Sequence, residues 1–202
     1  MLIFALFIFS LYYLFMARRI IKIDKVYTKG GDFGKTSLGD GSRVSKTDKT
    51  IVALANIEEL NAHLGFVICI IPTPFKKIFR NIQNDLFDIG ADIVTPISKK
   101  NVLRINKSYT SKIENEIDII ISKLPSLKSF ILPGGTEISS RIHLARTVCR
   151  RCEITILELN KKKTTNAEIL KYINRLSDFL FVVARKLNIK ENKEVLWKPG
   201  NI

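Results

Sequence analysis

The stretch FILPGGTEISSRIHLARTVCRRCE, residues 130–153, combines a turn signal with a two-faced helical pattern. Pro-Gly-Gly at 133–135 predicts a rigid turn, Thr136 suits a helix N-cap, and Glu137 places a carboxylate in the first turn. We therefore predict a helix that begins after this turn and continues to about Leu159. Its apolar face carries Ile142, Ala145, Val148, Cys149, Cys152 and Ile156.

The polar face of the same helix carries His143, Arg146, Arg150 and Glu153, which recur at spacings of three and four. Residues so spaced lie on one side of a helix. Because the planar guanidinium group suits phosphate or carboxylate, this face is arranged to meet an anion. The alternative is a solvated face with intrahelical ion pairs, and the stretch by itself leaves both interpretations open.

The composition fits one domain with a hydrophobic core and an anionic partner. The 202 residues carry a net charge of +14, but the lysines are scattered without a basic block that includes aromatic residues. We therefore expect no nucleic-acid binding, since a nucleoside triphosphate is a sufficient anion. Three cysteines do not make a disulfide framework. Cys149 and Cys152 form a CxxC pair, which we interpret as buried small residues, and we predict no metal site.

Residues 1–17 are almost wholly apolar, at the short limit of a membrane span. No basic residue precedes them and no small-residue cleavage site follows, which is atypical of a secretory signal peptide. Two hypotheses remain. The segment is a membrane anchor, and the following Arg18 and Arg19 would keep the rest of the chain on the cytoplasmic side. Alternatively, the segment is an artefact of start-site choice, and the protein begins at Met16. We accordingly divide the chain into an N-terminal extension, 1–24, and a helical domain, 25–202.

Helical periodicity covers most of the remaining chain and predicts an all-α fold, a five-helix bundle. The glycine-rich stretch YTKGGDFGKTSLGD, residues 27–40, comes before the first helix and is predicted to be a loop that presents N–H groups to an anion. It lacks the GxxxxGK[ST] spacing of a Walker A loop. The predicted helices span about 50–71, 75–94, 109–124, 136–159 and 166–188.

Seven motifs occur along the chain in a fixed order, and together they carry a resemblance. They are YTKGGDFGKTSL, SRVSKTD, EELNAHLG, IQNDLFDIGAD, FILPGG, HLARTVCRRCE and INRLSDFLFVVAR. Over about residues 25–197 the sequence resembles the PduO-type ATP:cob(I)alamin adenosyltransferases. The resemblance implies a five-helix bundle that assembles as a homotrimer, with an active site at each subunit interface.

The resemblance also implies the reaction, in which the 5′-deoxyadenosyl group of ATP is transferred to the cobalt of cob(I)alamin or a related corrinoid. ATP would bring Mg²⁺, and an external electron donor would reduce cob(II)alamin held without its lower axial ligand. Triphosphate is the leaving group, and an adenosylcobalamin-dependent enzyme would accept the product. The implied location is the cytoplasm, with membrane contact only if the first segment is an anchor.

The resemblance assigns the nucleotide site to residues in several parts of the chain. Asp32 and Gly34 would shape the N-terminal loop, and Arg150 would be the main triphosphate ligand. The other implied nucleotide contacts are Thr28, Lys29, Gly30, Gly31, Thr36, Ser37, Lys46, Arg151, Glu153 and Asn174.

Three further residues are assigned to the corrinoid side of the reaction. Phe130 matches an aromatic that closes the lower face of the corrin, and Arg146 matches an arginine that pairs with an acid of a neighbouring subunit. Glu58 stands where the family pattern has aspartate, so the charge is kept on a longer side chain. This departure leaves open a second hypothesis, a protein that binds and delivers adenosylcobalamin with weak or lost catalysis. A third is a membrane-anchored bundle with a lipid-binding basic face.

Overall fold

The computed structural model describes Tyr27, residues 29–38 and residues 41–201. The predicted extension 1–24 and the predicted contact Thr28 lie outside the described residues. The chain divides into two units between Phe33 and Gly34. In the first unit, residues 29–33 form a turn in which the Asp32 amide donates to the Lys29 carbonyl over 3.3 Å.

In the second unit, the described residues form a short antiparallel hairpin, five α-helices and a closing 3₁₀ turn. The helices confirm the predicted five-helix bundle. The elements are β1 (Lys35–Ser37), β2 (Arg43–Ser45), α1 (Lys49–Ile68), α2 (Thr73–Val94), α3 (Lys107–Ile121), α4 (Glu137–Asn160), α5 (Ala167–Lys190) and the turn Pro199–Asn201.

The helices begin where local chemistry satisfies their free amides. Thr136 caps α4 as predicted, by accepting a hydrogen bond from the Ser139 amide over 3.3 Å. Asp48 caps α1 in the same way through the Thr50 amide at 2.8 Å, and this hydrogen bond lowers the pKa of the Asp48 carboxyl. The sequence therefore predicts most helix starts to within about two residues, which is the usual precision of helix boundaries.

Two helices end earlier than predicted. The prediction extended the first helix to residue 71, but α1 ends at Ile68. The next residues form a tight turn, in which the Ile71 amide donates to the Val67 carbonyl over 3.0 Å. Ile71 is nevertheless only 1% exposed. The pattern of buried apolar residues therefore continues beyond the end of the helix. The predicted third helix extends in the same way beyond the observed end, Ile121.

The sequence missed the β-hairpin, because it predicted a loop over 27–40 and no strands. Each strand has three residues, too few to establish an alternating pattern, and Thr36 pairs with Val44 at the centre. The turn between the strands needs Gly41 at φ +86°, a left-handed conformation that favours glycine. The hairpin leads directly into the cap of α1.

The core lies between amphipathic helices. Helix α4 packs on α1 and α5, α1 also packs on α2, and α3 packs on α5. Phe79 of α2 and Phe179 of α5 are fully buried, with ring centroids 5.7 Å apart. Each such side chain stabilises the fold by about 1.5–3 kcal/mol relative to exposure. In the described part of the chain, α1 alone has a length and mean hydropathy, 1.3, that suit a membrane span, and it serves as a bundle helix.

A buried polar cluster fixes the connection between α2 and α3. Asp92 is 1% exposed and forms an ion pair with Arg104. Its second oxygen accepts from the Ile105 amide at 3.0 Å and from the Asn166 side chain at 2.8 Å. Arg104 also donates to the Thr95 carbonyl at 3.1 Å. The cluster joins α2, the connection and the N-terminus of α5.

Candidate active site

Helix α4 presents an open cationic face, which α5 completes. Arg150 is exposed and makes no ion pair with any other described residue. Asn174 of α5 donates to Glu153 of α4 over 3.0 Å. The predicted residues Arg150, Glu153 and Asn174 therefore lie along one junction between these two helices. An exposed guanidinium group next to a carboxylate and an amide is suited to bind a polar anion such as a phosphate chain.

Arg146 lies one helical turn before Arg150, and it is half-buried. Its guanidinium carbon is 5.8 Å from the ring centroid of Phe181 on α5. Its Nε has no hydrogen-bond partner among the described residues. Burial and the nearby charge of Arg150 lower the pKa of Arg146. A partly buried cation without a counterion is unfavourable, so this position favours the approach of an anion.

His143 does not take part in the exposed face to which the sequence assigned it. The residue is 3% exposed, and both ring nitrogens lack a hydrogen-bond partner within the described ranges. Burial and the charge of Arg146 lower its pKa to about 4, so the imidazole is neutral at pH 7. A neutral ring is less costly to bury than a charged one, which accounts for its charge state. Helical spacing predicted the side of the helix on which His143 lies, but it did not predict that neighbouring residues bury the side chain.

Arg151 points away from Arg150, since one residue along a helix turns the side chain by about 100°. Its Nε donates to Asn56 Oδ1 over 2.9 Å, and its guanidinium group forms an ion pair with Glu59. The hydrogen bond to Arg151 lowers the pKa of the Glu59 carboxyl and raises that of Arg151. In one chain Arg151 thus fastens α4 to α1, and its nucleotide contact stays a prediction.

Cys149 and Cys152 are buried, as the sequence analysis expected. Their thiols point to different carbonyls, Cys149 to Ile173 O at 3.2 Å and Cys152 to Asn56 O at 3.0 Å. Burial raises the pKa of Cys149 well above its usual value and that of Cys152 to about 12. Both thiols therefore stay protonated. The described residues contain no group of three His, Cys, Asp or Glu side chains that could hold a metal ion.

Phe130 is 77% exposed although its backbone is fixed. The Trp197 amide donates to the Phe130 carbonyl over 2.7 Å, and Leu132 N donates to Val195 O over 2.9 Å. The Phe130 and Trp197 ring centroids are 6.1 Å apart. An exposed aromatic ring on a fixed backbone can lie against an apolar planar ligand.

The remaining predicted nucleotide contacts precede α1 in the sequence. Thr36 and Ser37 belong to β1, and the Lys46 amide donates to the Gly34 carbonyl over 2.8 Å. Arg43 donates to Ser37 Oγ over 3.3 Å. The first unit holds the predicted residues Lys29, Gly30, Gly31 and Asp32 in its turn.

Glu58 is exposed on α1 and lines a groove between α1 and α2. The groove has a volume of about 490 Å³ and includes Phe87 and Gly90. Arg146 instead lies over Phe181 of α5. The structure therefore does not bring Glu58 and Arg146 together within one chain.

Sequence reasoning missed a pair of buried polar residues near the end of α5. Arg185 is 6% and Asn188 is 2% exposed. Arg185 Nε donates to Glu194 over 2.9 Å, and a terminal nitrogen donates to the Pro125 carbonyl over 3.1 Å. Their spacing of three within an otherwise apolar stripe could have predicted that both are buried. Because buried polar groups require hydrogen-bond partners, the same spacing could have predicted contacts to other segments.

Comparison with known proteins identifies the family. The model of the cobalamin adenosyltransferase family matches residues 26–187. A corrinoid adenosyltransferase of Mycobacterium tuberculosis is 43% identical over 187 residues, covering 89% of this chain and 96% of the relative. The human corrinoid adenosyltransferase MMAB is 36% identical over 191 residues, covering 89% of this chain and 76% of the relative.

A solved structure agrees with these sequence matches. A variant of a PduO-type ATP:corrinoid adenosyltransferase from Lactobacillus reuteri, complexed with cobalamin and ATP, superposes with a TM-score of 0.82 at 34% identity. The match covers 87% of this chain and 97% of the other. The resemblance read from the seven motifs is confirmed, and the chain belongs to the cobalamin adenosyltransferase family.

Proposed function

We propose that this protein transfers the 5′-deoxyadenosyl group of ATP to the cobalt of a reduced corrinoid and releases triphosphate. The observation that carries the proposal is the exposed Arg150 beside the Glu153–Asn174 hydrogen bond of 3.0 Å, in a chain of this family. Cobalt(I) supplies an electron pair to C5′, the Co–C bond forms, and the C5′–O bond breaks. Triphosphate leaves with the electron pair of the broken bond, and the cobalt is oxidised to cobalt(III).

The residues of the chain then have distinct tasks. Arg150 neutralises charge that develops on the triphosphate, a contribution that grows toward the transition state. Asn174 and Glu153 orient the nucleotide, together with the N-terminal loop and Lys46. Mg²⁺ arrives with ATP and shares the charge of the phosphates. Because cobalt is the nucleophile, the protein needs to supply none, and positioning accounts for most of the catalysis.

Phe130 has the task of covering the lower face of the corrin. Its exposed ring and fixed backbone support this role, since a ring held against the corrin would exclude water and a lower ligand from cobalt. An external electron donor supplies the electron that converts cob(II)alamin to cob(I)alamin. The product passes to an adenosylcobalamin-dependent enzyme, and we place the reaction in the cytoplasm.

We further propose that three copies assemble with the active sites between them. The separation of Glu58 and Arg146 within one chain supports this, because Arg146 would find its carboxylate on a neighbouring copy. Exposed apolar side chains on α2 and α4 also support an interface, including Phe87 at 73% and Ile154 at 61% exposure. Sedimentation analysis checks the assembly, and a monomer that is fully active would contradict it.

The function is tested with purified protein, MgATP and chemically reduced cob(I)alamin under anaerobic conditions. The visible spectrum should show adenosylcobalamin, with one ATP consumed per product. Arg150→Ala should lower kcat/KM for ATP by about 100-fold or more, as expected for loss of a charge-stabilising donor. Arg80→Ala, an exposed arginine of α2, is the matched control. Bound corrinoid without product in the wild type would instead favour a delivery protein.

A further inference from the structure

We propose that Asn188 is a positioning residue, which holds the loop carrying Phe130 in place from the end of α5. The inference rests on the proposed function only for its effect on catalysis, because the positioning itself can be measured separately. It concerns a residue that makes no contact with either substrate site assigned above.

Both polar atoms of the Asn188 side-chain amide form hydrogen bonds with the turn at 133–136. Its Oδ1 accepts from the Thr136 amide at 3.0 Å and from the Thr136 hydroxyl at 3.1 Å. Its Nδ2 donates to the Gly134 carbonyl over 2.8 Å. Three hydrogen bonds from one residue that is 2% exposed determine the position of this turn relative to α5, because losing any of them leaves a buried polar group unpaired.

Steric contact holds the turn as closely as hydrogen bonding does. A Cβ atom at Gly135 would lie 2.4 Å from Asn188 Oδ1, and Gly135 has φ +94°. The backbone therefore approaches the amide too closely for any other residue, in a conformation that favours glycine. The Pro-Gly-Gly sequence and Asn188 fit each other as one structural unit.

The start of the same loop is also fastened to α5. Arg185, one helical turn before Asn188, donates to the Pro125 carbonyl over 3.1 Å and to Glu194 over 2.9 Å. Beyond Glu194, the Trp197 amide donates to the Phe130 carbonyl of this loop over 2.7 Å. The segment 125–136 is therefore attached to α5 at both ends, while the ring of Phe130 remains exposed between them.

This arrangement favours a positioning role over simple packing. An apolar side chain at residue 188 would fill space in the stripe of α5 without the cost of burying an amide. The amide instead fixes the direction in which the loop enters α4. Since displacement of a positioning group by about 1 Å can lower a rate by about 100-fold, the position of the Phe130 ring should depend on Asn188.

Asn188→Ala tests the proposal, and Tyr172→Phe is the matched control. Tyr172 is also fully buried on α5, and its hydroxyl donates to Asp85 of α2 over 2.8 Å, so the control loses a buried hydrogen bond away from the loop. We expect Asn188→Ala to lower kcat by about 10- to 100-fold with KM for ATP unchanged. Tyr172→Phe should keep kcat within about twofold of the wild type at matched fraction folded.

A second measurement does not depend on turnover. Trp197 is the single tryptophan of the chain, and its ring lies beside Phe130, so its fluorescence reports on the loop. Quenching of Trp197 by acrylamide should increase in Asn188→Ala and stay at the wild-type value in Tyr172→Phe. Asn188→Asp keeps the size and one acceptor but replaces the donor to the Gly134 carbonyl with an oxygen. It provides a second variant if alanine prevents folding, and it should change the quenching in the same direction.

The two measurements separate the possible failures. If the wild type forms no adenosylated corrinoid, the proposed function fails, while Trp197 quenching still decides whether Asn188 holds the loop. Equal quenching in Asn188→Ala, Asn188→Asp and the wild type would overturn the proposal. A rise in KM for ATP with unchanged kcat would also overturn it, because the loop would then serve the nucleotide.

Discussion

Two buried polar clusters of the bundle differ in how completely they are paired. The Asp92 cluster, formed with Arg104, Ile105 and Asn166, engages both carboxylate oxygens. The pair His143 and Arg146 leaves three nitrogen atoms without a hydrogen-bond partner among the described residues. A fully paired cluster stabilises the fold, whereas an unpaired buried group carries a desolvation cost that its described neighbours do not offset.

The comparison explains why similar residue types have different consequences. Arg104 and Arg146 are both partly buried arginines, yet one lies against a carboxylate and the other over an aromatic ring. Removing an ionic partner from the first cluster should cost stability. Changing the second should cost little stability and should affect activity or assembly instead.

The largest effect should come from breaking the paired cluster. Asp92→Ala should lower the free energy of unfolding by about 3–5 kcal/mol, because Arg104 would be left partly buried without its counterion. Urea denaturation measures this change. Asp118→Ala, an exposed carboxylate on α3, is the control and should leave the denaturation midpoint unchanged. A loss below about 1 kcal/mol for Asp92→Ala would remove the distinction between the two clusters.

The second prediction concerns His143, whose burial should make the free energy of unfolding depend on pH. Burial lowers the pKa of His143 from 6.5 to about 4, so the unfolded chain binds the proton more tightly than the folded one. Stability should therefore be full above pH 6.5 and fall as the pH is lowered toward 4, by roughly 2–4 kcal/mol. Denaturation of the wild type and His143→Leu across this range isolates the effect. Parallel curves for the two proteins would contradict it.

A smaller change should weaken the edge of the paired cluster. Asn166→Ala loses the hydrogen bonds to Asp92 and to the Ile105 carbonyl, both 2.8 Å, and the cap that accepts the Glu168 amide at 3.1 Å. We expect a loss of about 1–2 kcal/mol in the free energy of unfolding. Asn106→Ala, which caps α3 through the Ser108 amide at 2.9 Å, is the matched control for capping alone. Equal losses would show that the bond to Asp92 adds nothing.

The smallest change in stability should accompany a large change in function. Arg146→Met keeps the packing on Phe181 but removes the unpaired charge, so the free energy of unfolding should change by less than about 1 kcal/mol. Adenosylation should fall, and the proposed trimer should dissociate at a higher protein concentration than that of the wild type. Urea denaturation, turnover and sedimentation measure the three quantities. A stability loss as large as that of Asp92→Ala would place Arg146 with the structural residues.

The sequence predicts the helices well because each has a long apolar stripe. It predicts the family because all seven motifs occur in the same order along the chain. It predicts Arg150 and Glu153 on one face of one helix, and the resemblance adds Asn174. The structure joins Asn174 to Glu153 by a hydrogen bond, and the nucleotide contacts of all three stay predictions. The sequence could not predict the ion pair of Arg151 with Glu59, because helical spacing shows on which side of its helix a residue lies but not which helix packs there. The burial of His143 depends in the same way on packing between helices, which no local pattern encodes.

The hairpin and the Asn188 contacts were missed for two other reasons. Strands of three residues carry too little alternation to be recognised. Asn188 lies 52 residues from its partner Thr136, so only the folded chain shows that an asparagine in an apolar stripe fits a glycine turn. A polar residue that joins distant segments can be recognised in the sequence as an exception to an apolar stripe. The sequence does not show which distant residue it contacts.

The fastening of the Phe130 loop to α5 has a consequence for the order of folding. Ser129 donates to the Trp197 carbonyl across 68 residues of chain, and the turn at Gly135 contacts Asn188. A ribosome makes α1 to α4 before these partners exist, and closing such long segments is slow. The helices can therefore assemble first, and the loop that carries Phe130 should take its final shape last. Protection of the Leu132 amide during refolding should accordingly lag behind that of the helical amides.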